Sequence, residues 1–230
     1  MLIGIIGAMD QEVALLKERM VIESEEEVAN CLFIKGAIEG KDVVVLKSGI
    51  GKVNAAMATT ILHERYQPTY IINTGSAGGF ATELEVGDLV IGNEVTHHDV
   101  DVTAFKYAYG QVPGLPETYH ADNFLIKKVE DAIANVTHVK GKQGLIATGD
   151  SFMQDPSRVE FVRGQFPLLI AAEMEAAAIA QVCYQYQTPF VIIRALSDIA
   201  GKESSVSFDA FLEKAAKNAA ELIIQVVHDL

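Results

Sequence analysis

Carboxylates set among apolar residues are the groups in this chain best suited to chemistry. In Leu168–Ala180, LLIAAEMEAAAIA, only Glu173 and Glu175 are polar. Such a run favours burial, and an unpaired buried carboxylate is unfavourable by several kcal/mol. Either the glutamates face water from an edge strand or helix start, or they stand on a pocket wall and accept hydrogen bonds from hydroxyl groups. Two positions apart on an extended segment, they would point the same way; a turn into a helix between them would change that. Glu12 follows the first apolar run of the chain, and Asp198 closes the most apolar one. An acid in a first helical turn suits the helix dipole. It equally suits the rim where α/β sheets bind ligands. If these four acids meet in a partly apolar pocket they cannot all ionise cheaply, so at least one pKa rises. A raised carboxyl is a general acid near neutrality, and an ionised neighbour is a base. No Ser-His-Asp set or activated Cys is evident, so the residues favour acid–base chemistry on a neutral, hydroxyl-bearing substrate.

The totals narrow the classes. The 230 residues, half of them hydrophobic, are enough for a substantial α/β core. A net charge of −13 argues against nucleic acid or an anionic membrane as partner, since both demand clustered Lys and Arg. Cys31 and Cys183 lack ligand spacing and fit core thiols in a reducing cytoplasm. LIGIIGAM lacks the basic lead and length of a signal peptide, and no run reaches the roughly 18 uncharged residues of a membrane span. His97-His98-Asp99-Val100-Asp101 looks superficially metal-binding, but adjacent His residues on a strand face opposite ways and HExxH spacing is missing. No metal or cofactor is expected.

The elements that must carry these acids are legible in the periodicity. Leu2–Ile6 reads as a buried strand, followed by a helix over Met9–Met20 with Val13, Leu16 and Met20 on one face. Glu23–Glu27 reads as a solvated acidic loop. Leu32–Ile38 and Val43–Ser48 form a hairpin across Glu39-Gly40-Lys41-Asp42, leading through Gly49-Ile50-Gly51 into a helix. Tyr70–Asn73 is a strand that opens into Thr74–Gly79, a Gly-rich loop without the pattern of a dinucleotide or P-loop site. Gly87–Val95 is a strand, Phe105–Pro116 a long aromatic loop, Asp122–Ala134 a helix and Gly144–Thr148 a strand. Asp155–Gln165 and Ala176–Tyr186 are helices, and Pro189–Leu196 is a strand ending in Ser197-Asp198. A final helix is expected to start near Ser207 as N-cap. No repeat or linker divides residues 1–230, which read as one α/β domain with a mixed sheet.

Taken together, GIIGAMDQE, LKSGIGKVNAA, IINTGSAGG, HHDVDVTAF with YGQVPG, GLIATGDSF, AAEMEAAAIAQVC and PFVIIRALSDIA resemble the motif series of bacterial 5′-methylthioadenosine/S-adenosylhomocysteine nucleosidases. They stand in that family's order and span nearly the whole chain. The resemblance implies a nucleoside-phosphorylase-like, three-layer αβα sandwich around a twisted mixed sheet, assembled as a homodimer. It implies hydrolysis of the N-glycosidic bond of methylthioadenosine and S-adenosylhomocysteine, and of 5′-deoxyadenosine as well, within methionine salvage and the activated methyl cycle.

By the same resemblance, Glu12 activates water and Asp198 protonates the imidazole-ring nitrogen of adenine. Glu175 grips the ribose hydroxyls with Met174 packed beside the sugar, and Glu173 has a lesser role at the rim. Ser76, Ala77 and Gly78 line the purine side, joined by Phe152 and Met153. Arg194 and Ser197 position Asp198. Met9, Ile50 and Phe208 form an alkylthio pocket completed by Phe105 and Pro113 of the other subunit. Lys106 departs from the small residue usual there, and AAEMEA replaces AVEMEA. Two rival functions are a phosphate-dependent purine nucleoside phosphorylase and a non-catalytic nucleoside-binding protein of the same fold. The first needs arginines to hold a dianion, and only Arg19, Arg65, Arg158, Arg163 and Arg194 exist.

Overall fold

The computed structural model describes residues 1–135, 140–202 and 204–230. Its frame is one eleven-stranded mixed sheet. The buried runs supply the interior strands: β1 (Leu2–Gly7), β4 (Lys41–Lys47), β5 (Tyr70–Asn73) and β11 (Phe190–Ile199). β1 lies parallel between β4 and β5, and β5 pairs parallel with β11. Strands apolar on both faces need cover on both. Helices α1 (Asp10–Arg19), α3 (Asn123–Asn135) and α6 (Ser204–Asp229) pack together, and α2 (Lys52–Tyr66) packs with α5 (Ala176–Tyr186). This is the expected α/β sandwich around a mixed sheet.

β11 then does more than cross the sheet. Its second half pairs parallel with β6 (Ser76–Gly79), while Ile192–Ala195 also pairs antiparallel with β7 (Leu89–His97). β6 continues through β10 (Leu169–Glu173) and β9 (Gly141–Thr148) back to β7. That half of the sheet therefore curls until it closes through β11. A bulge between Leu196 and Asp198 shifts the β11 register against β6, the usual device for re-aiming a side chain. The carboxyl ends of β1, β5, β9 and β10 converge beside it, where ligands bind in sheets of this type.

Three expectations are corrected. Glu23–Glu27 is not a loop but part of β2 (Val21–Val28), an edge strand antiparallel to β3 (Cys31–Ile38). Its strand character comes from backbone bonds to β3, not from burial, so alternation is absent. Its acids pair with Lys35, Lys17 and Arg65, and a charged edge discourages pairing with other chains. Ser76–Gly79 is likewise a strand rather than a loop, since small residues let β10 and β11 approach from both sides. Finally, α6 starts at Ser204, which puts Ser207 inside the helix instead of at its cap. A polar first turn carries no periodic signal; the Ser207 side chain lies outside the described residues.

Candidate active site

Glu12 owes its place to the start of α1. As the third helical residue it reaches back to the Met9 N–H at 3.2 Å, half of a capping box. The same Oε2 accepts the Ala8 N–H at 2.8 Å, and Oε1 accepts the Ser76 N–H at 2.9 Å and hydroxyl at 3.2 Å. The capping and site readings of Glu12 are thus compatible: one carboxylate closes the helix and joins the end of β1 to the start of β6. Gly75 makes the approach possible, because a Cβ there would meet Arg194 Nη1 at 2.0 Å and Glu12 Oε1 at 2.9 Å.

Asp198 is aimed by the β11 bulge. Its Oδ1 accepts the Ser197 hydroxyl at 2.9 Å, and Oδ2 lies 3.2 Å from where a Cβ on Gly78 would stand. Both acids are almost fully buried from solvent yet line one cavity of about 330 Å³. That size and the mixed lining suit a nucleoside-sized ligand. Ser76, Ala77, Gly78, Phe152, Met153, Glu173, Met174, Glu175, Ser197, Met9, Ile50 and Phe208 all line it. Phe208 from α6 meets Phe152 edge-on at 5.8 Å. Ala8, Ser151 and Ala172 join the lining unforeseen; each lies next to a singled-out residue, but Ala and Ser carry no chemical signal of their own.

Two expected roles change. Arg194 does not line the cavity. Its fully buried guanidinium donates to Glu173 at 2.5 Å, to Asn73 Oδ1 at 2.7 Å and to the Thr74 carbonyl at 3.3 Å. It neutralises Glu173 rather than holding Asp198, whose hydroxyl partner is Ser197. Glu173, in turn, lines the cavity with a carboxylate that is already held by the protein. Its carboxylate takes Arg194 and the N–H groups of Glu175 and Ala176 at Oε2 and the Thr148 hydroxyl at Oε1, so the protein itself holds both oxygens. The two glutamates do not point alike, because β10 ends at Glu173 and Glu175 is already the N-cap of α5.

Glu175 is the less satisfied partner. Its Oε1 accepts the Gly51 N–H at 2.9 Å, while Arg194 Nη2 is 3.7 Å from Oε2. Burial, and then the charge of Glu173, push its carboxyl up to about 8 against the pull of Arg194. The expectation that one carboxyl would rise is met here. A group with a raised folded-state pKa stabilises fully below its ordinary value, and this contribution is lost as pH rises through about 8. Glu175→Gln should therefore melt higher than the parent at pH 9, by about 2–4 °C for each kcal/mol of relieved charge burial. Melting curves at pH 5 and pH 9 check this; equal shifts at both would contradict it.

His97 and His98 are buried, His97 facing Gln181 and His98 facing Arg158. Burial lowers the pKa of both rings. Among the described residues no three His, Cys, Asp or Glu side chains converge as a metal site.

Comparison with known proteins places the fold in a family. The Phosphorylase superfamily profile matches residues 2–228. A 5′-methylthioadenosine/S-adenosylhomocysteine nucleosidase of Anoxybacillus flavithermus is 63% identical over 99% of this chain and 98% of its own. The chain belongs to this nucleosidase family. Family members of known structure superpose closely. The enzyme of Neisseria meningitidis, bound to methylthio-immucillin-A, is 47% identical with a TM-score of 0.98 over 100% of this chain and 99% of its own. The nucleosidase of Colwellia psychrerythraea 34H, bound to adenine, is 48% identical at a TM-score of 0.98 over 100% and 96%.

Proposed function

We propose that this enzyme hydrolyses the N-glycosidic bond of 5′-methylthioadenosine and S-adenosylhomocysteine, and of 5′-deoxyadenosine. The products are adenine and S-methyl-5-thioribose, S-ribosylhomocysteine or 5-deoxyribose respectively. Residues 1–230 act as one catalytic domain, serving methionine salvage and the activated methyl cycle. One observation carries the reading: Glu12 and Asp198 line one cavity whose described lining holds no Arg, Lys or His. Phosphate, a dianion, would need such cations. Arg194 is spent on Glu173, Arg65 on Glu26, and Arg163 on Phe80 and Glu160. Water is therefore the nucleophile that the site can accommodate.

In this reading Asp198 gives its proton to the imidazole ring of adenine, which would otherwise leave as a poor anionic group. The C1′–N bond breaks and the sugar becomes oxocarbenium-like. A cation forming beside Glu175 favours its carboxylate form, so this acceptor of the ribose hydroxyls strengthens in the transition state. Glu12 takes a proton from the water that attacks C1′, as the base does in inverting glycosidases. Met9, Ile50 and Phe208 offer the thioether an apolar wall. Two buried free thiols, Cys31 and Cys183, fit a cytoplasmic setting, and no helix among the described residues is long and apolar enough to cross a membrane. The deciding experiment supplies methylthioadenosine in phosphate-free buffer. Stoichiometric adenine is expected; release only on adding phosphate would favour a phosphorylase, and no turnover a binding protein.

A homodimer belongs to the same proposal. Phe105 and Val53 are 76% and 77% exposed, and Phe105 and Pro113 stand outside the cavity of their own chain. Aromatics exposed to this degree mark a surface that wants cover. With Phe105 and Pro113 closing the neighbour's alkylthio pocket, Phe105→Ala should weaken methylthioadenosine binding by about tenfold and leave adenine binding nearly unchanged. Titration calorimetry with both ligands tests this. A fully active monomer in light scattering would sink it.

A further inference from the structure

The loop between β4 and α2 places Ile50 at the cavity mouth and points the Gly51 N–H at Glu175. Gly51 is the N-cap of α2 and has no side chain with which to cap it. The cap comes instead from another loop: Asp150 Oδ1 accepts the Lys52 N–H at 2.8 Å. Asp99, just past β7, joins the two. Its Oδ2 accepts the Asp150 N–H at 3.0 Å, and its Oδ1 takes the Lys52 ammonium at 2.5 Å. The contacts close a ring from Asp99 through Asp150 and Lys52 back to Asp99. Burial acts to raise the Asp99 carboxyl, but Lys52 and the Asp150 N–H together hold it below its usual range.

We propose that Asp99, Asp150 and Lys52 are positioning residues, a latch that aims the Gly51 N–H at Glu175 and keeps both lips of the cavity in register. None of the three lines the cavity. They act through their neighbours, Ile50 and Gly51 on one lip and Ser151 to Met153 on the other. Glu175 is faced by Glu173 from β10, Arg194 from β11, Glu12 from α1 and the Gly51 N–H ahead of α2. Of these, the Gly51 donor is the one held by a loop rather than by a strand, a capped helix turn or a buried charge pair, so it is the one the latch must secure.

The test uses opposed signs, and only its kinetic arm rests on the nucleosidase reading. Asp99→Ala and Asp150→Ala each remove a negative charge, which by electrostatics alone would lower the pH at which Glu175 titrates. Loss of the Gly51 donor would raise it. The protein with ¹³C-carboxyl-labelled glutamate is titrated by NMR, and the Glu175 signal is assigned by its loss in Glu175→Gln. Either alanine variant that melts cooperatively is expected to titrate about half a pH unit or more above the parent. It should also lose about tenfold in kcat/KM for methylthioadenosine, as small misplacements do. A Glu175 titration that falls or stays put overturns the latch. A parent enzyme that releases no adenine would defeat the nucleosidase reading, while the titration still decides the latch.

Discussion

Glu12→Gln should cut the chemical step by about 100-fold or more, since a neutral amide cannot take the proton of the attacking water. Single-turnover release of adenine is the measurement. The structure adds a stability effect to this expectation. All four hydrogen bonds to Glu12 come from donors, two at each oxygen. A glutamine must turn its NH₂ toward one of those pairs and leave at least one backbone N–H unpaired, since only the Ser76 hydroxyl can reverse to accept, at a cost of about 1–3 kcal/mol. The variant should therefore fold but melt several degrees lower, and ligand binding should survive better than turnover. Near-normal turnover would return Glu12 to capping α1 and nothing more.

Asp198→Asn should be as damaging for adenine nucleosides, by about 10²–10⁴-fold, because adenine then departs without its proton. The amide oxygen can still accept the Ser197 hydroxyl that Asp198 Oδ1 accepts at 2.9 Å, so the loss should lie in kcat with KM little changed. A riboside with a p-nitrophenolate leaving group needs no such proton. Its rate should fall by about tenfold at most. Equal losses on the two substrates would mean that Asp198 holds the site together instead of acting as the acid.

How far these residues could be seen in advance depends on how local their signals are. Tyr70–Asn73 and Ala176–Tyr186 were legible to the residue, since apolar runs and helical periods are properties of adjacent positions. β2 and the Ser76–Gly79 strand were not. One is polar throughout and the other is made of Ser, Ala and Gly, so each is a strand only because a neighbouring strand pairs with it. The motif series, read as a resemblance, carried the site list further than periodicity could. Even so, it gave Arg194 the wrong partner.

By itself the sequence determined the apolar strands, the amphipathic helices, the carboxylates embedded among them and the family to which their order belongs. Tertiary structure alone decided which donors and charges each carboxylate meets. Glu173 became a neutralised structural acid because Arg194, 21 positions away, crosses to it from the next-but-one strand. Glu12 meets Ser76 across 64 positions, and Glu175 meets the Gly51 N–H across 124. A buried charge takes its pKa and its role from whatever donors and charges surround it. Those neighbours are set by strand order and by the closure through β11, which no local pattern encodes.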